Sequence, residues 1–294
     1  MKVSNLIICS MVLLFSVSFA HADALKMSTT TSTKASGLLD VLLPVFEKDT
    51  GIKVKVIAKG TGAAIRDGVD GNVDVIFVHA KKREQEFVKD GYGTKRYAVM
   101  HNDFIIIGPK SDPAGIKGSK NVMDALNKIA ASGAHFVSRG DDSGTHTKEQ
   151  FLWSNTKVKL VKKTMKVSKK GKIKNVTSKH PVFAKGNYYS IGQGMGKALI
   201  YAEQKQCYVI TDRGTYIKFK HGRKSGLDLE IMCEGDTNLN NPYGIIPINP
   251  KKHSHTNYSS AKVFANWMVN KKAQSLINSY KLIGKQLFYP DAAK

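Results

Sequence analysis

Two hydrophobic patterns alternate along the chain. Short apolar runs, of which residues 25–28 are the first, are typical of buried strands, whereas residues 36–49 carry apolar side chains at helical spacing. The same patterns predict further strands at 53–58, 74–78, 97–107, 135–138, 207–211, 227–233 and 243–248, and further helices at 63–70, 81–90, 122–131, 197–203, 258–270 and 273–280. This alternation predicts an α/β fold whose first strands form a parallel, doubly wound sheet.

The N-terminus does not follow this pattern. Lys2 is followed by an apolar run over residues 6–19 and then by small residues around Ala20 and Ala22. A basic start, a short apolar run and a small-residue cleavage site are the marks of a secretory signal peptide, and the run is too short for a confident membrane-spanning helix. We therefore expect residues 1–24 to be removed from an exported, periplasmic protein.

The formal net charge is +23, which suggests either a polyanionic partner or the steering of small anions. Nine lysines are crowded into residues 157–174 with valines and isoleucines between them, and this composition predicts a solvated hairpin or loop. A nucleic-acid module would interleave aromatic residues with arginines on a defined fold, and no such pattern is evident in the sequence. We expect no nucleic acid partner.

A polar loop over residues 138–146, Ser-Arg-Gly-Asp-Asp-Ser-Gly-Thr-His, joins a predicted strand to a predicted helix. Ser143 is a favourable N-cap, and Gly144 lets a ligand approach the free N–H groups of the first turn, where the helix dipole favours an anion. Arg139 adds a planar, permanently charged fork that suits an oxyanion, and Thr145 adds a hydroxyl group. The alternative is a capped helix with an Arg–Asp pair on the surface.

Two more strand-to-helix junctions carry hydroxyl groups. Thr30, Thr31 and Ser32 follow the first predicted strand, and Thr61 and Gly62 follow the second within Lys-Gly-Thr-Gly. Each junction alone is a weak motif, because an over-capped or tight turn would look the same. Together the three loops offer hydroxyl groups, backbone N–H groups and helix N-termini, so we expect them to close on one small anion.

Other chemistries have weaker support. Gly-Asp-Asp-Ser-Gly is a poor match to the nucleophile loop of chymotrypsin-like serine hydrolases, because one Asp is extra and Thr145 replaces the last Gly. His79 ends a predicted strand, where ligands gather in open α/β sheets, but a packed or capping histidine is the simpler interpretation. His253 and His255 lack a third metal ligand, and the glycines at 192–196 lack the dinucleotide spacing. We expect no cofactor and no metal site.

Arg139, Asp141, Ser143, Gly144 and Thr145 meet the Arg-x-Asp-x-Ser-Gly-Thr pattern of periplasmic phosphate-binding proteins. Over almost all of the predicted mature chain, the sequence closely resembles the tungstate-binding proteins of bacterial ABC importers. The segments that carry this resemblance are Thr-Thr-Thr-Ser (29–32), Ser-Gly-Leu-Leu-Asp (36–40), Lys-Gly-Thr-Gly (59–62), Asn-Asp-Phe (102–104), Gly-Pro-Lys-Ser-Asp-Pro-Ala-Gly (108–115), the loop at 138–146 and Gly-Gln-Gly-Met-Gly (192–196).

The resemblance implies a type II periplasmic binding protein, with two α/β lobes, each a mixed sheet flanked by helices, and two crossover strands as the hinge. Lobe I would comprise residues 25–105 and 210–294, and lobe II residues 106–209. The family is not enzymatic. A monomer of this kind would deliver tungstate to the permease and ATPase of an inner-membrane importer. The lysine-rich segment 157–174 departs from the family pattern, which leaves its role open.

The ligand-binding residues expected from the loops and the resemblance are Thr30, Thr31, Ser32, Thr61, Gly62, Arg139, Ser143, Gly144 and Thr145. Tungsten would be bound only as the tungstate oxyanion, and molybdate, phosphate and sulfate are alternative ligands. Tungstate has two negative charges and no proton at neutral pH, so it needs donors and no acceptor. We therefore expect Asp141 to orient Arg139 and not to contact the ligand.

Cys207 and Cys233 remain after removal of the predicted signal peptide. An exported protein can join them in a disulfide bond, and two buried free thiols are the alternative. Both lie in strands predicted around the return from lobe II, so we expect the two residues to lie near each other.

Overall fold

The structure, a computed structural model, describes residues 24–169 and 172–292, so the predicted signal peptide lies outside the described residues. Strands and helices alternate through the first part of the chain, as predicted. These elements are β1 (Leu25–Thr30), α1 (Thr31–Ser36), α2 (Leu38–Thr50), β2 (Val54–Lys59), α3 (Thr61–Val69), β3 (Val75–Val78), α4 (Lys81–Lys89) and β4 (Tyr97–Gly108).

The remaining elements continue the pattern and end in very short strands. They are α5 (Val122–Ala131), β5 (Phe136–Ser138), α6 (Gly144–Ser154), β6 (Leu160–Lys169), β7 (Lys172–Pro181), β8 (Tyr188–Ser190), α7 (Met195–Lys205), β9 (Tyr208–Asp212), α8 (Arg213–Gly222), β10 (Glu230–Cys233), β11 (Asn240–Pro247), α9 (Tyr258–Met268), α10 (Lys271–Ser279), β12 (Lys281–Leu282), β13 (Lys285–Gln286) and β14 (Tyr289–Pro290), with a 3-10 turn at Thr237–Leu239. The lysine-rich segment falls on the antiparallel pair β6–β7, so the prediction of a hairpin is confirmed.

The first hydroxyl-rich junction is helical and not a loop. Thr30 caps α1, because its side-chain oxygen accepts from the N–H of Thr33 at 3.1 Å. Gly37 has a φ of 88°, a left-handed conformation that ends α1 and leads into α2. The helix predicted at 36–49 is therefore preceded by a separate short helix that holds Thr31 and Ser32 in its first turn.

Ten strands of the described chain form one mixed sheet in the order β2–β1–β3–β11–β4–β9–β5–β8, with β10 and β14 paired to β4. β1 pairs in parallel with β2 and β3, as predicted, but β11 lies antiparallel between β3 and β4. The prediction of a parallel sheet is therefore wrong for β4, because a strand from far along the chain separates β4 from β3.

β4 connects two halves of this sheet. Its residues 97–103 pair with β11, and its residues 104–108 pair with β9 and β10. We call the part built on β2, β1, β3 and β11 the first half, and the part built on β9, β5 and β8 the second half. In the described chain, buried clusters cover both faces of each half: α2, α9 and α10 oppose α3 and α4 in the first half, and α5 and α6 oppose α7 and α8 in the second.

The packing of β9, α8 and β10 bears on where the chain returns to the first half. Ile210 and Met232 lie in the cluster under α5 and α6, and Tyr216 lies in the cluster under α7 and α8. These residues belong to the second half by their contacts, although the sequence analysis assigns everything from residue 210 onward to lobe I. The packing favours a return through residues 234–239, between β10 and β11.

Cys207 and Cys233 are both free and buried. Cys207 lies in the cluster under α7 and α8, whereas Cys233 lies in the cluster under α5 and α6 on the opposite face of the sheet. The expectation that they lie near each other is therefore wrong, because the sheet separates them. Of the two alternatives that the sequence leaves open, the structure has the free thiols.

Candidate oxyanion site

Three strand ends lead directly to helix N-termini. β1 ends at Thr30 and α1 begins at the next residue, and β2 ends at Lys59, just before α3 begins at Thr61. The third junction leads from β5 to α6, which Ser143 caps. The first turns of α3 and α6 leave backbone N–H groups without partners inside the helix, so both are suited to an anion.

The junctions meet around His79, the residue after β3. Its Nε2 lies 3.1 Å from Thr30 Oγ1 and 3.3 Å from Ser32 Oγ. A Cβ atom built on Gly144 would lie 3.8 Å from His79 Cε1 and 3.8 Å from Thr61 Oγ1. Residues from both halves of the sheet therefore converge on one point.

Arg139 lies on the second-half side of this point. Its Nη2 donates to Asp141 Oδ2 at 2.6 Å, and its Nη1 lies 3.4 Å from Thr145 Oγ1. Asp141 Oδ1 also accepts from the N–H of Ser143 at 3.3 Å. The expected orientation of Arg139 by Asp141 is confirmed. The arginine side chain is only 16% exposed, so its charge is largely removed from water.

The rest of the loop is fixed by local contacts. Ser143 Oγ accepts from the N–H of His146 at 3.3 Å, which leaves the hydroxyl hydrogen free to donate outward. His146 is buried, and its Nδ1 accepts from the N–H of Asp142 at 3.1 Å, in keeping with a pKa that burial lowers. Gly140 has a φ of 59°, and a Cβ there would lie 2.1 Å from Ser190 Oγ, so glycine is strongly favoured at this position.

The hydrogen bonds of His79 define its neutral tautomer. Asn241 Nδ2 donates to Asn102 Oδ1 at 2.7 Å, which turns Asn241 Oδ1 toward His79 Nδ1 at 3.1 Å. Nδ1 therefore carries the hydrogen, and Nε2 accepts from the hydroxyl of Thr30 or Ser32. Burial lowers the pKa of His79, and the hydrogen bond to Asn241 and the charge of Asp212 oppose this shift less strongly.

Two expected ligand residues lie outside this cluster of contacts. Thr31 is exposed, and no side-chain hydrogen bond reaches it within the described ranges. Gly62 is also exposed and faces Arg83, whose Nη2 would lie 3.4 Å from a Cβ built on Gly62. Two residues of this cluster were not among the expected ligand residues. The sequence analysis favoured a packing role for His79, although its place at the end of a strand indicated a site residue. It did not consider Asn241, because nothing in the neighbouring sequence marks that residue.

The arrangement around His79 can be compared with two other kinds of site, a metal site and a nucleophile–base pair. In the structure as described, no three His, Cys, Asp or Glu side chains are arranged to hold a metal ion. The Ser143 hydroxyl is bonded to a backbone N–H, and the ring of His146 faces Asp142, so these residues do not form a nucleophile–base pair. Among the described helices, none is both long enough and apolar enough to cross a membrane.

Comparison with known proteins agrees with this chemistry. A family model described as "PBP superfamily domain" matches residues 18–272. The tungstate-binding protein TupA of Peptoclostridium acidaminophilum is 45% identical over 273 residues, which cover 91% of this chain and 86% of the relative. The chain belongs to the TupA family. The solved structure of TupA from Desulfovibrio alaskensis G20 is 43% identical, has a TM-score of 0.80, and is matched over 92% of this chain and 99% of its own.

A second solved structure is also similar to this chain. The structure of the tungstate ABC transporter from Geobacter sulfurreducens is 46% identical, with a TM-score of 0.69 and coverage of 88% of this chain and 99% of that one. The fold expected from sequence, a type II periplasmic binding protein with mixed sheets flanked by helices, is confirmed.

In this TupA family member, the β6–β7 hairpin packs beside the loop at residues 138–146. Lys174 Nζ donates to Asp142 Oδ2 at 2.5 Å, and Val167 would lie 3.2 Å from a Cβ built on Gly192. The backbone of Lys179 also exchanges hydrogen bonds with the side chain of a residue in α6. The hairpin is therefore part of the second half and packs against it through a few buried residues, whereas its described lysines and Ile173 are exposed.

Proposed function

We propose that this chain binds tungstate, as the intact oxyanion, between the two halves of the sheet. The observation that carries the proposal is the approach of Gly144 to Thr61 and His79, because it brings helix N-termini of both halves to one point. The ligand residues proposed are Thr30, Thr31, Ser32, Thr61, Gly62, Arg139, Ser143, Gly144 and Thr145, together with His79.

The strength of such a site follows from its donors. A hydrogen bond to a charged group contributes about 1.5–3 kcal/mol, so about seven of them supply roughly 10–20 kcal/mol before the costs of ordering. Nanomolar affinity corresponds to about −12 kcal/mol and is therefore within reach. Arg139 contributes the largest single share of this, because it is a charged donor held in place by a 2.6 Å ion pair and can give two of these bonds.

We further propose that the two halves act as lobes that close on the ligand. Lobe I then comprises residues 25–103 and 240–292, and lobe II residues 104–233, with β4 and residues 234–239 as the two connections. The predicted signal peptide and the tungstate ABC transporter relative support a periplasmic binding protein without enzymatic activity, and we propose that it acts as a monomer. Its partners would be the permease and ATPase of an inner-membrane importer.

Phosphate is the second candidate ligand, and His79 is the reason. In the neutral tautomer, Nε2 of His79 is a hydrogen-bond acceptor, whereas the other groups proposed to bind the ligand are donors. Hydrogen phosphate carries a proton that such an acceptor can bind, whereas tungstate carries none. Molybdate shares the charge and proton count of tungstate, so only the size of the closed site separates these two.

Calorimetric titration of the chain without residues 1–24 tests both candidates. Tungstate, molybdate, phosphate and sulfate are titrated separately at pH 7.5 in a buffer free of oxyanions. We expect tungstate to bind most tightly, with phosphate and sulfate at least about a hundredfold weaker, a difference of about 2.7 kcal/mol. Tighter binding of phosphate would transfer the proposal to the second candidate. Absence of binding to all four anions would contradict an oxyanion receptor.

A further inference from the structure

Arg83 lies beside the proposed site, on the first turns of α4. It is exposed, and its guanidinium group faces the start of α3. A Cβ atom built on Gly62 would lie 3.4 Å from Nη2 and 3.5 Å from Nη1, so both ends of the fork point toward the same backbone. The neighbouring residue, Thr61, is the one that approaches Gly144 of the second half.

The position of Arg83 suits an anion better than it suits the cation alone. The N-terminus of α3 carries the positive end of the helix dipole, which repels a cation and attracts an anion. Nearby carboxylates do not compensate. Glu84 is buried, pairs with Arg96 at 2.6 Å and accepts from the N–H of Ala80. Glu86, about one turn further along α4, forms no ion pair with Arg83 within the described residues.

We propose that Arg83 is a second arginine of the anion site and donates to an oxyanion held on Thr61 and Gly62. The inference rests on the proposed function and adds a residue to it. Gly62 has no side chain between the guanidinium group and the first turn of α3, which leaves that approach open. Because Arg83 is exposed, it forms its contact from the solvent side of the ligand, so its loss raises the rate of ligand release.

Replacing Arg83 by glutamine, with Lys82→Gln as the matched control, tests the proposal. Both residues are exposed cations in the first turns of α4, so each change removes one charge from the same part of this helix. We expect Arg83→Gln to weaken tungstate binding about tenfold or more, mostly through faster release in stopped-flow measurements, and Lys82→Gln to change it less than about twofold. Arg83→Lys should restore only part of the affinity, because a point charge cannot present the fork.

The outcomes separate this inference from the proposed function. If the unmodified chain binds tungstate and the Arg83 and Lys82 variants weaken it equally, the effect is long-range charge, and the role of Arg83 is refuted while the receptor stands. If the unmodified chain binds none of the four oxyanions, the receptor and the inference fail together. Circular dichroism of each variant establishes that it is folded, as exposed positions on α4 predict.

Discussion

Replacing Arg139 by glutamine is the most direct test of the site. The change keeps a planar group with donors and removes the permanent charge. Arg139 is held by Asp141 at 2.6 Å and is 16% exposed, so its guanidinium group is positioned before any ligand arrives. Removing it should therefore lower affinity without a compensating gain in the ordering of the free protein.

The magnitude follows from the two charged hydrogen bonds that the guanidinium group would give to tungstate. Their loss costs about 3–6 kcal/mol, and a neutral amide recovers about 1 kcal/mol. The net loss is about 2–5 kcal/mol, and the middle of this range, about 3.5 kcal/mol, is more than a hundredfold in affinity at about 1.4 kcal/mol for each factor of ten. Arg139→Lys should recover only part of this loss, because lysine is a point charge.

The variant should remain folded. Asp141 loses a partner in a site where it is 7% exposed, but it still accepts from the N–H of Ser143. We expect a loss of about 1–3 kcal/mol in the free energy of unfolding, which urea denaturation measures. Arg223→Gln is the control: Arg223 pairs with Glu203 at 3.4 Å, and the change removes the same charge from another part of the second half.

Calorimetric titration of the folded variants with tungstate decides the matter. Arg139→Gln should lose more than about a hundredfold in affinity, and Arg223→Gln should stay within about twofold of the unmodified chain. Near-unchanged affinity of folded Arg139→Gln would refute the assignment of Arg139 and of the site built around it. Equal losses in both variants would show that net charge, and not the fork, attracts the ligand.

Three further predictions follow from individual contacts. Burial lowers the pKa of His79 in the ligand-free protein, and a bound dianion would favour its imidazolium form. Tungstate binding should therefore take up a proton and strengthen as the pH falls toward the ordinary histidine pKa of about 6.5, and His79→Gln should flatten this dependence in titrations with buffers of different ionisation enthalpy. Unreduced, denatured protein without residues 1–24 should release two titratable thiols, Cys207 and Cys233, which should react slowly in the native state because burial raises their pKa values to about 12 and about 11. Lys174→Ser breaks an exposed ion pair with Asp142, so tungstate affinity should change by less than about fivefold; a loss beyond a hundredfold would show that the hairpin shapes the site.

The sign of the His79 effect can be checked against stability. The unfolded chain has an ordinary histidine pKa of about 6.5, and the folded, ligand-free protein has a lower one. Below about pH 6.5 the unfolded state therefore binds more protons, and the free energy of unfolding falls as the pH decreases. A bound dianion favours the imidazolium form and opposes this loss, so the stabilisation by tungstate should be larger on the acidic side.

The parts of the site that the sequence predicts are those made within one strand-to-helix junction. The capping role of Ser143, the pairing of Arg139 with Asp141, and the place of Thr61 at a helix start all depend on neighbours a few residues away. Hydrophobic period and capping chemistry act over the same short range. These features could therefore be predicted before the structure.

The parts that the sequence does not predict depend on distant segments. β11 lies between β3 and β4 in the sheet, and no local sequence pattern predicts this position. It places Asn241 beside His79, although the two residues are 162 positions apart in the sequence. The lobe boundary proposed from the packing differs from the one expected near residue 210 for the same reason, because β9, α8 and β10 are assigned by what they pack against. The short helix Thr31–Ser36, which Gly37 separates from α2, was expected to be a loop because it carries no apolar spacing.

The tautomer of His79 affects how many groups of the proposed site can donate to an oxyanion. Asn102 and Asn241 hold the hydrogen on Nδ1, so in the neutral ring Nε2 takes a hydroxyl hydrogen from Thr30 or Ser32 that would otherwise face the ligand. When His79 takes up a second proton, Nε2 becomes a donor toward the ligand. The hydroxyl of Thr30 or Ser32 no longer donates to Nε2 and can donate to the ligand as well. Each pH unit above the pKa of the bound state makes this proton cost about 1.4 kcal/mol. In the proposed site we therefore expect the choice between tungstate and phosphate to depend on where a proton resides, on the ligand or on His79, whereas tungstate and molybdate differ in size alone.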